Sequence, residues 1–330
     1  MAINGIGDEF DLISRYFAPL AAGAPGALGL TDDASIVDVP EGQDLVATSD
    51  SIVAGIHFFA DDPAIDIARK IIRVNLSDLA AMGACPIGLL LSVILPRDTD
   101  EDWMSQFAAG LKADIDEFHA PLIGGDTVAG EGPLTLSMTA LGAVPASQVL
   151  TRAGALSGDS IYVTGTIGDG TLGLGIAKGT LKGLDLSHEN YLIERYRVPR
   201  PRLEFGMRLL GHANAAIDIS DGLIADLGHI CTCSGVGAYL DAESVPLSGA
   251  AQEALAQDKR RFADLVMGGD DYELLFTSPS EGDAALCDIA ADLGVNITRI
   301  GAITEGNGLV VEPGKGLDLN ITVGGYRHFR

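Results

Sequence analysis

Apolar residues recur along this chain at two different periods. Between Pro63 and Ala81 the positions Ile65, Ala68, Ile71 and Ile72 share one helical face, with Pro63 in the first turn, which predicts a helix over 63–81. Trp103, Phe107, Leu111, Ile115 and Phe118 follow at steps of four, four, four and three and predict a second helix over 101–118. Short apolar runs at 45–48, 87–95, 134–142, 161–164, 216–219 and 274–277, several bounded by Gly, Asp or Pro, predict strands. A helix over 223–231 is expected directly after Asp221. Helices and strands alternate to the end, so the expected class is α/β. The small-residue stretch Ala146-Ser147-Gln148 follows a strand and places a boundary near 145–158. The expected domains are 1–148 and 149–330, each of ordinary size.

Composition narrows the function. The 330 residues carry 46 acidic and 21 basic side chains, a formal net charge of −25, and 47% are apolar. That is too apolar for a disordered acidic chain. The longest apolar run, Ile87–Leu95, contains Gly88 and Ser92 and is too short to span a bilayer. Asp8, Glu9 and Asp11 stand where a signal peptide needs a basic start. Cys85, Cys231, Cys233 and Cys287 form no disulfide or zinc spacing, so a reducing cytoplasm is expected. The charge repels nucleic acid and anionic lipid, and neither is an expected partner. An anionic ligand would need metal ions as mediators.

The aspartates are grouped beside Gly, Ser and Thr: Asp32-Asp33, Thr48-Ser49-Asp50, Asn75-Leu76-Ser77-Asp78, Gly124-Gly125-Asp126-Thr127, Asp218-Ile219-Ser220-Asp221-Gly222 and Gly269-Asp270-Asp271. They read as strand-end loops and turns, where a scaffold presents functional side chains. Oxygen-only ligand sets suit hard cations, Mg²⁺ above all when phosphate completes the shell. The competing explanation is turn and helix-cap chemistry, available to Asp50 and Asp221 and to Asp270 in particular. Six such groups in one chain favour the metal reading.

Two other signals carry less. Gly168-Asp169-Gly170-Thr171-Leu172-Gly173 fits the dinucleotide fingerprint, but 42 glycines in 330 residues yield roughly 0.7 accidental matches. His57 sits between apolar neighbours, where a core histidine is as reasonable as a ligand.

Taken together, Thr31-Asp32-Asp33-Ala34, Thr48-Ser49-Asp50, Gly55-Ile56-His57-Phe58, the run Asn75–Gly83, Gly124-Gly125-Asp126-Thr127, Leu150-Thr151-Arg152, Asp218–Leu223, Gly268–Leu274 and Gly325–Phe329 resemble the thiamine-monophosphate kinases. That family belongs with aminoimidazole ribonucleotide synthetase and selenide, water dikinase. The resemblance implies two layered α/β domains, with N-terminal sheets pairing into a barrel across a homodimer. It implies ATP-dependent phosphorylation of thiamine monophosphate to thiamine diphosphate by in-line transfer assisted by two or more Mg²⁺ ions. The N-terminal domain would bind ATP and Mg²⁺ and form the dimer, and the C-terminal domain would contribute to the nucleotide and substrate sites. By position, Asp33, Thr48, Ser49, Asp50, Asp78, Asp126, Asp218 and Asp221 match magnesium ligands, with Asp78, Asp126 and Asp221 central to catalysis. Gly125, Asp126, Arg152 and Ser220 match ATP contacts, and His57, Asp270 and Tyr326 match contacts to the thiamine substrate. Two positions depart from the family's pattern: Thr31 replaces a glycine, and Asp270 replaces a glutamate. The alternatives are another ATP-dependent member of the superfamily, or a non-catalytic Mg-nucleotide-binding protein.

Overall fold

The helix that the 63–81 periodicity predicts forms as α2, Ala64–Ala81, eighteen residues long. The computed structural model describes residues 9–313. Tyr326 and the Gly325–Phe329 motif lie outside them. The chain divides into two compact units, one running up to Leu79 together with Ala84–Ser147, the other combining Ala80–Gly83 with the chain from Gln148 onward.

In the first unit a short helix α1 (Glu9–Leu12) and helical turns precede β1 (Gln43–Val53), α2, β2 (Cys85–Pro96), α3 (Glu101–Phe118), β3 (Leu122–Gly130) and β4 (Thr135–Pro145). The strands form one sheet in the order β1-β4-β2-β3, antiparallel except for the β2–β3 pair. Helix α3 opens on Asp100, whose side chain accepts from the Trp103 amide, as an N-cap should. It lies so close to α2 that a Cβ on Gly110 would sit 2.4 Å from the Ile65 carbonyl oxygen. Arg73 of α2 donates twice to the wholly buried Asp114 of α3, at 2.6 and 2.8 Å, and Arg69 adds a bond at 2.9 Å. Buried charge is thus paired and bonded across the helix pair. Thr48 and Asp50 of β1 bond side chains of α2, so their side of the sheet is the helix side. Residues of the opposite parity form the other face, where Leu45, Ile94 and Val128 remain 50%, 44% and 46% exposed.

The second unit holds β5 (Ser160–Thr164), α4 (Asp169–Ala177), α5 (Leu186–Arg197), α6 (Leu203–Arg208), β6 (Ala215–Asp218), α7 (Leu223–Ser234), β7 (Gly237–Asp241), α8 (Gly249–Gln257), α9 (Arg261–Met267), β8 (Leu274–Ser278), α10 (Asp283–Leu293), β9 (Ile297–Thr304) and β10 (Gly308–Glu312). Its six strands run β10-β7-β9-β5-β8-β6, antiparallel except for β10–β7. Every residue of β8 is buried, the apolar Leu274–Phe276 and the polar Thr277 and Ser278 alike, because both sheet faces are covered. Leu275 joins the cluster with Leu223, Leu227 and Ile230 of α7. Phe276 turns the other way, against Phe205 of α6 and Tyr162.

The expected placement of the aspartates at strand ends needs correction for the first unit. Asp50 lies inside β1, Asp78 inside α2 and Asp126 inside β3. Polar Thr48-Ser49-Asp50 looked like the end of a strand, yet β1 pairs with β4 through all eleven of its residues. Strand β3 was not expected at all. Its glycines and aspartate have the composition of a turn, and the ladder with β2 makes it a strand.

Candidate active site

In the first unit the site is stitched between β1 and α2. The Thr48 hydroxyl donates to Asp78 Oδ2 at 2.5 Å, and the Asp50 amide donates to Asn75 Oδ1 at 3.0 Å. Asn75 is itself held by donating to the Ile71 carbonyl one turn back, at 2.9 Å. A hydroxyl that donates to a carboxylate keeps its oxygen lone pairs, so Thr48 and Asp78 present an all-oxygen pair suited to a hard cation. Asn75, quoted in the sequence motif but given no role there, is the side chain that fixes Asp50. Asp50 is therefore no helix or turn cap.

Strand alternation separates the remaining members. Ser49 points to the opposite side of β1, where it donates to the Met138 carbonyl at 3.1 Å and accepts from the Thr139 hydroxyl at 3.2 Å. Asp126 shares that face: its register partner is Ser92, which pairs with Ser137, which pairs with Ser51. Gly125 precedes it at φ 154°, packed so tightly on β2 that a Cβ would lie 1.8 Å from the Leu91 oxygen. Asp33 is exposed before β1, its amide donating to Asp32 Oδ1. Thr31, the position that departs from the family's glycine, donates its hydroxyl to the Leu28 carbonyl. His57 is half-buried. Its Nδ1 accepts from the Val53 amide at 3.1 Å, which fixes Nε2 as the protonated ring nitrogen. The buried Lys70 ammonium donates to the His57 carbonyl at 3.1 Å.

In the second unit main-chain bonds bring the Ser220–Asp221 turn beside Asp270, with Asp218 just before the turn. The carboxylates of Asp218, Asp221 and Asp270 nevertheless form no group of ligand atoms among the described residues. Asp218 ends β6, buried, and Ser220 and Asp221 form the turn into α7. Three main-chain bonds tie this turn to the loop before β8: Ile219 donates to Glu273, Asp270 to Ser220, and Tyr272 to Ile219, at 2.8, 3.0 and 2.8 Å. Gly269 is required here, since a Cβ would sit 1.9 Å from the Ser220 oxygen. Asp221 is not the cap of α7. The N-cap is Gly222, and it is Asp226, inside the first turn, that accepts from the Asp221 and Gly222 amides at 3.2 and 3.1 Å. Burial, and after it the charge of Asp221, push the Asp226 carboxyl up to about 7, while the two amides and Arg152 pull it down. Arg152 is thus close enough to act on this cluster. Ligand atoms of Asp221, Asp226 and His229 lie within 4.8 Å of one another, as do those of Asp185, His188 and Glu253. Among the described residues the first unit's aspartates form no such group. Asp226 was missed in the sequence, although an acidic residue in the first turn after a glycine is a capping signal.

The glycine-rich motif does follow β5 and open α4. Its amides, however, are taken by the chain itself. Asp271 is wholly buried and accepts from Gly168 at 2.7 Å and Gly170 at 3.0 Å. A carboxylate of the protein therefore fills the place where a phosphate would bind, which removes the dinucleotide reading. Burial lifts the Asp271 carboxyl to about 8 against the pull of those two amides. Beneath it, buried Glu273 accepts from Arg202 twice at 2.6 Å, from Arg195 at 3.0 Å and from the Thr164 hydroxyl at 2.7 Å. Cys231 is buried and Cys233 exposed, both as free thiols.

Comparison with known proteins places both units. Residues 31–144 match the family of AIR synthase related protein, N-terminal domain, and residues 157–313 match its C-terminal domain. A thiamine-monophosphate kinase of Salmonella typhimurium is 41% identical over 325 residues, covering 97% of this chain and 98% of that protein. The crystal structure of a thiamine-monophosphate kinase from Stenotrophomonas maltophilia is 42% identical, with a TM-score of 0.80 over 86% of this chain and 90% of that one. AaThiL complexed with AMPPCP and TMP is 30% identical, with a TM-score of 0.77 over 100% of this chain and 99% of that one.

Proposed function

Since the chain belongs to the thiamine-monophosphate kinase family, we propose that it transfers the terminal phosphate of ATP to thiamine monophosphate, giving ADP and thiamine diphosphate. The observation that carries the reading is the Thr48–Asp78 and Asp50–Asn75 stitching of β1 to α2. It holds oxygen ligands in place in a chain whose net charge of −25 would otherwise repel a triphosphate. The relative solved with AMPPCP and TMP supports the same pair of substrates.

The acceptor is a phosphate monoester, already anionic near neutral pH, so no strong general base is required. The obstacle is repulsion between it and the triphosphate. In this reading the first unit offers two separate groups of oxygen ligands, Thr48, Asp50 and Asp78 on the helix side of its sheet and Ser49 and Asp126 on the other face. Together with Asp33, and with Asp218 and Asp221 of the second unit, they serve two or more Mg²⁺ ions in all. Their donor chemistry fits, being oxygen throughout. Mg²⁺, when bound, supplies the charge neutralisation that lets two phosphates approach. Gly125, Asp126 and Ser220 line the nucleotide, and Arg152 gives a forked donor to its phosphates. His57 of the first unit and Asp270 of the second are assigned by position to contacts with the acceptor, and so is Tyr326, which lies outside the described residues. Catalysis is positioning and electrostatics, with in-line transfer and no covalent enzyme intermediate.

The N-terminal sheet suits a homodimer with paired sheets. Leu45 at one end of its helix-free face and Ile94 with Val128 at the other are exposed, and burial of such apolar area against a second copy is favourable. No helix among the described residues is long and apolar enough to cross a membrane. The deciding experiment is incubation with Mg-ATP and thiamine monophosphate, with thiamine diphosphate detected directly. Its formation at the rate of ADP release supports the proposal. ADP release without it favours another acceptor, and binding without turnover favours a nucleotide-binding protein.

A further inference from the structure

The loop from Gly268 to Tyr272 carries an arrangement that the reaction alone does not explain. Asp270 and Tyr272 both adopt left-handed backbone, at φ 68° and 52°. For a bulky residue such as tyrosine this is a costly conformation, kept only where the surroundings over-determine it. Between them stands Asp271, fully buried, with both carboxylate oxygens bonded to the Gly168 and Gly170 amides and its carbonyl accepting from Arg195 at 3.0 Å. The opposite edge of the loop is held by the bonds to Ile219 and Ser220. There is no slack, since a Cβ on Gly170 would lie 2.3 Å from the Asp270 oxygen. The two half-buried side chains flanking Asp271 meet each other, the Tyr272 hydroxyl donating to Asp270 Oδ1 at 3.3 Å.

We infer that Asp271 and Tyr272 are positioning residues for the phosphate acceptor: Asp271 clamps the loop in its left-handed form, and the Tyr272 hydroxyl orients the Asp270 carboxylate that the clamp presents. The inference rests on the reading that Asp270 contacts the acceptor. It also accounts for the shorter side chain at this position. An aspartate whose carboxylate is oriented by a neighbouring hydroxyl does not need the reach of glutamate.

The test compares Asp270→Ala, Asp271→Asn and Tyr272→Phe in the full chain by steady-state kinetics and thermal melting. Asp271→Asn keeps the shape but replaces an oxygen that accepts from a main-chain amide with an N–H₂ group, which cannot accept. Tyr272→Phe removes one oxygen atom and leaves the buried clamp untouched. All three are expected to raise KM for thiamine monophosphate, Asp271→Asn by about tenfold or more and Tyr272→Phe by about threefold, with KM for ATP within roughly twofold of wild type. A purely structural role would move both constants together, and that result in a folded Asp271→Asn protein overturns the inference. If Asp271→Asn does not fold, Tyr272→Phe decides, and a wild-type KM for the acceptor overturns it. A raised KM in Asp270→Ala with wild-type values in both other variants rejects the positioning role alone. A wild-type KM in Asp270→Ala rejects the acceptor reading and the inference with it.

Discussion

Gly125→Ala is the sharpest test of how the N-terminal sheet holds its carboxylate. The new Cβ would stand 1.8 Å from the Leu91 oxygen and 2.6 Å from the Leu91 carbonyl carbon, where real contacts do not fall below 3.0 Å. Both obstacles are main chain, so no rotamer relieves them. Strands β2 and β3 must part by about 1.2 Å at this rung, enough to lengthen a hydrogen bond of about 2.9 Å beyond use. Overpacking costs about 1–3 kcal/mol, and each lost ladder bond about 1 kcal/mol more. For a unit of this size that is a fall in Tm of roughly 6–20 °C. The next rung pairs Ser92 with Asp126, so the displacement reaches the carboxylate directly. A misplacement of about 1 Å lowers kcat by about a hundredfold. The control is the neighbouring glycine. A Cβ on Gly124 meets the end of the Leu90 side chain at 2.9 Å and otherwise only Ser35 at 3.9 Å, and a leucine tip can rotate. Gly124→Ala should melt and turn over close to wild type. The assays are thermal melting and direct measurement of thiamine diphosphate. Equal Tm and kcat in the two variants would refute the reasoning.

Three further outcomes are expected. Chelation should abolish turnover and Mg²⁺ or Mn²⁺ restore it, while Asp78→Asn and Asp126→Asn lower kcat by at least about a hundredfold; full activity in excess chelator would sink the metal reading. Initial-rate patterns should intersect and no label from γ-phosphate should remain on protein, because on the proposed reading both substrates must be bound to the same metal ions at once; parallel ping-pong lines would count against direct transfer. Asp271 should make stability fall with rising pH. Its carboxyl moves from 3.8 to about 8 on burial, so between these values the folded chain holds a proton that the unfolded chain has released. Its contribution is full below about 3.8 and is lost as pH climbs through about 8. The Tm of Asp271→Asn minus that of wild type should therefore grow from pH 5 to pH 8, and a flat difference would contradict the assignment.

The helices were legible because their apolar positions repeat without interruption. Trp103 to Phe118 needs no context to be read as α3. Strand β3 was not legible, because Leu122–Gly130 contains three glycines and an aspartate and becomes a strand only through its parallel partner. The acidic groups were found by their neighbours in sequence, but their faces were not. Thr48 and Ser49 are adjacent in the chain and point to opposite sides of the sheet. Asp270 and Asp271 are likewise indistinguishable locally. The partners that bury Asp271 lie about a hundred residues away, at Gly168 and Gly170, and no short-range pattern encodes them. The same glycines read as a phosphate cradle for the opposite reason, since sequence does not reveal that the cradle is already filled.

If Asp270 holds the acceptor as proposed, the ladder joining Ile219 and Ser220 to Asp270 and Tyr272 has a consequence for how acceptor preference can change. Its bonds are main chain to main chain, so they persist through side-chain exchanges that the left-handed backbone at 270 and 272 accepts. The loop behaves as a bracket on which different arms can be mounted. Directed evolution toward other phosphorylated acceptors should therefore randomise positions 270 and 272 and spare Gly170 and Gly269, where there is no room for any side chain. Such a library would sample new acceptors while the spacing to Asp218 and Asp221 is inherited intact by every member.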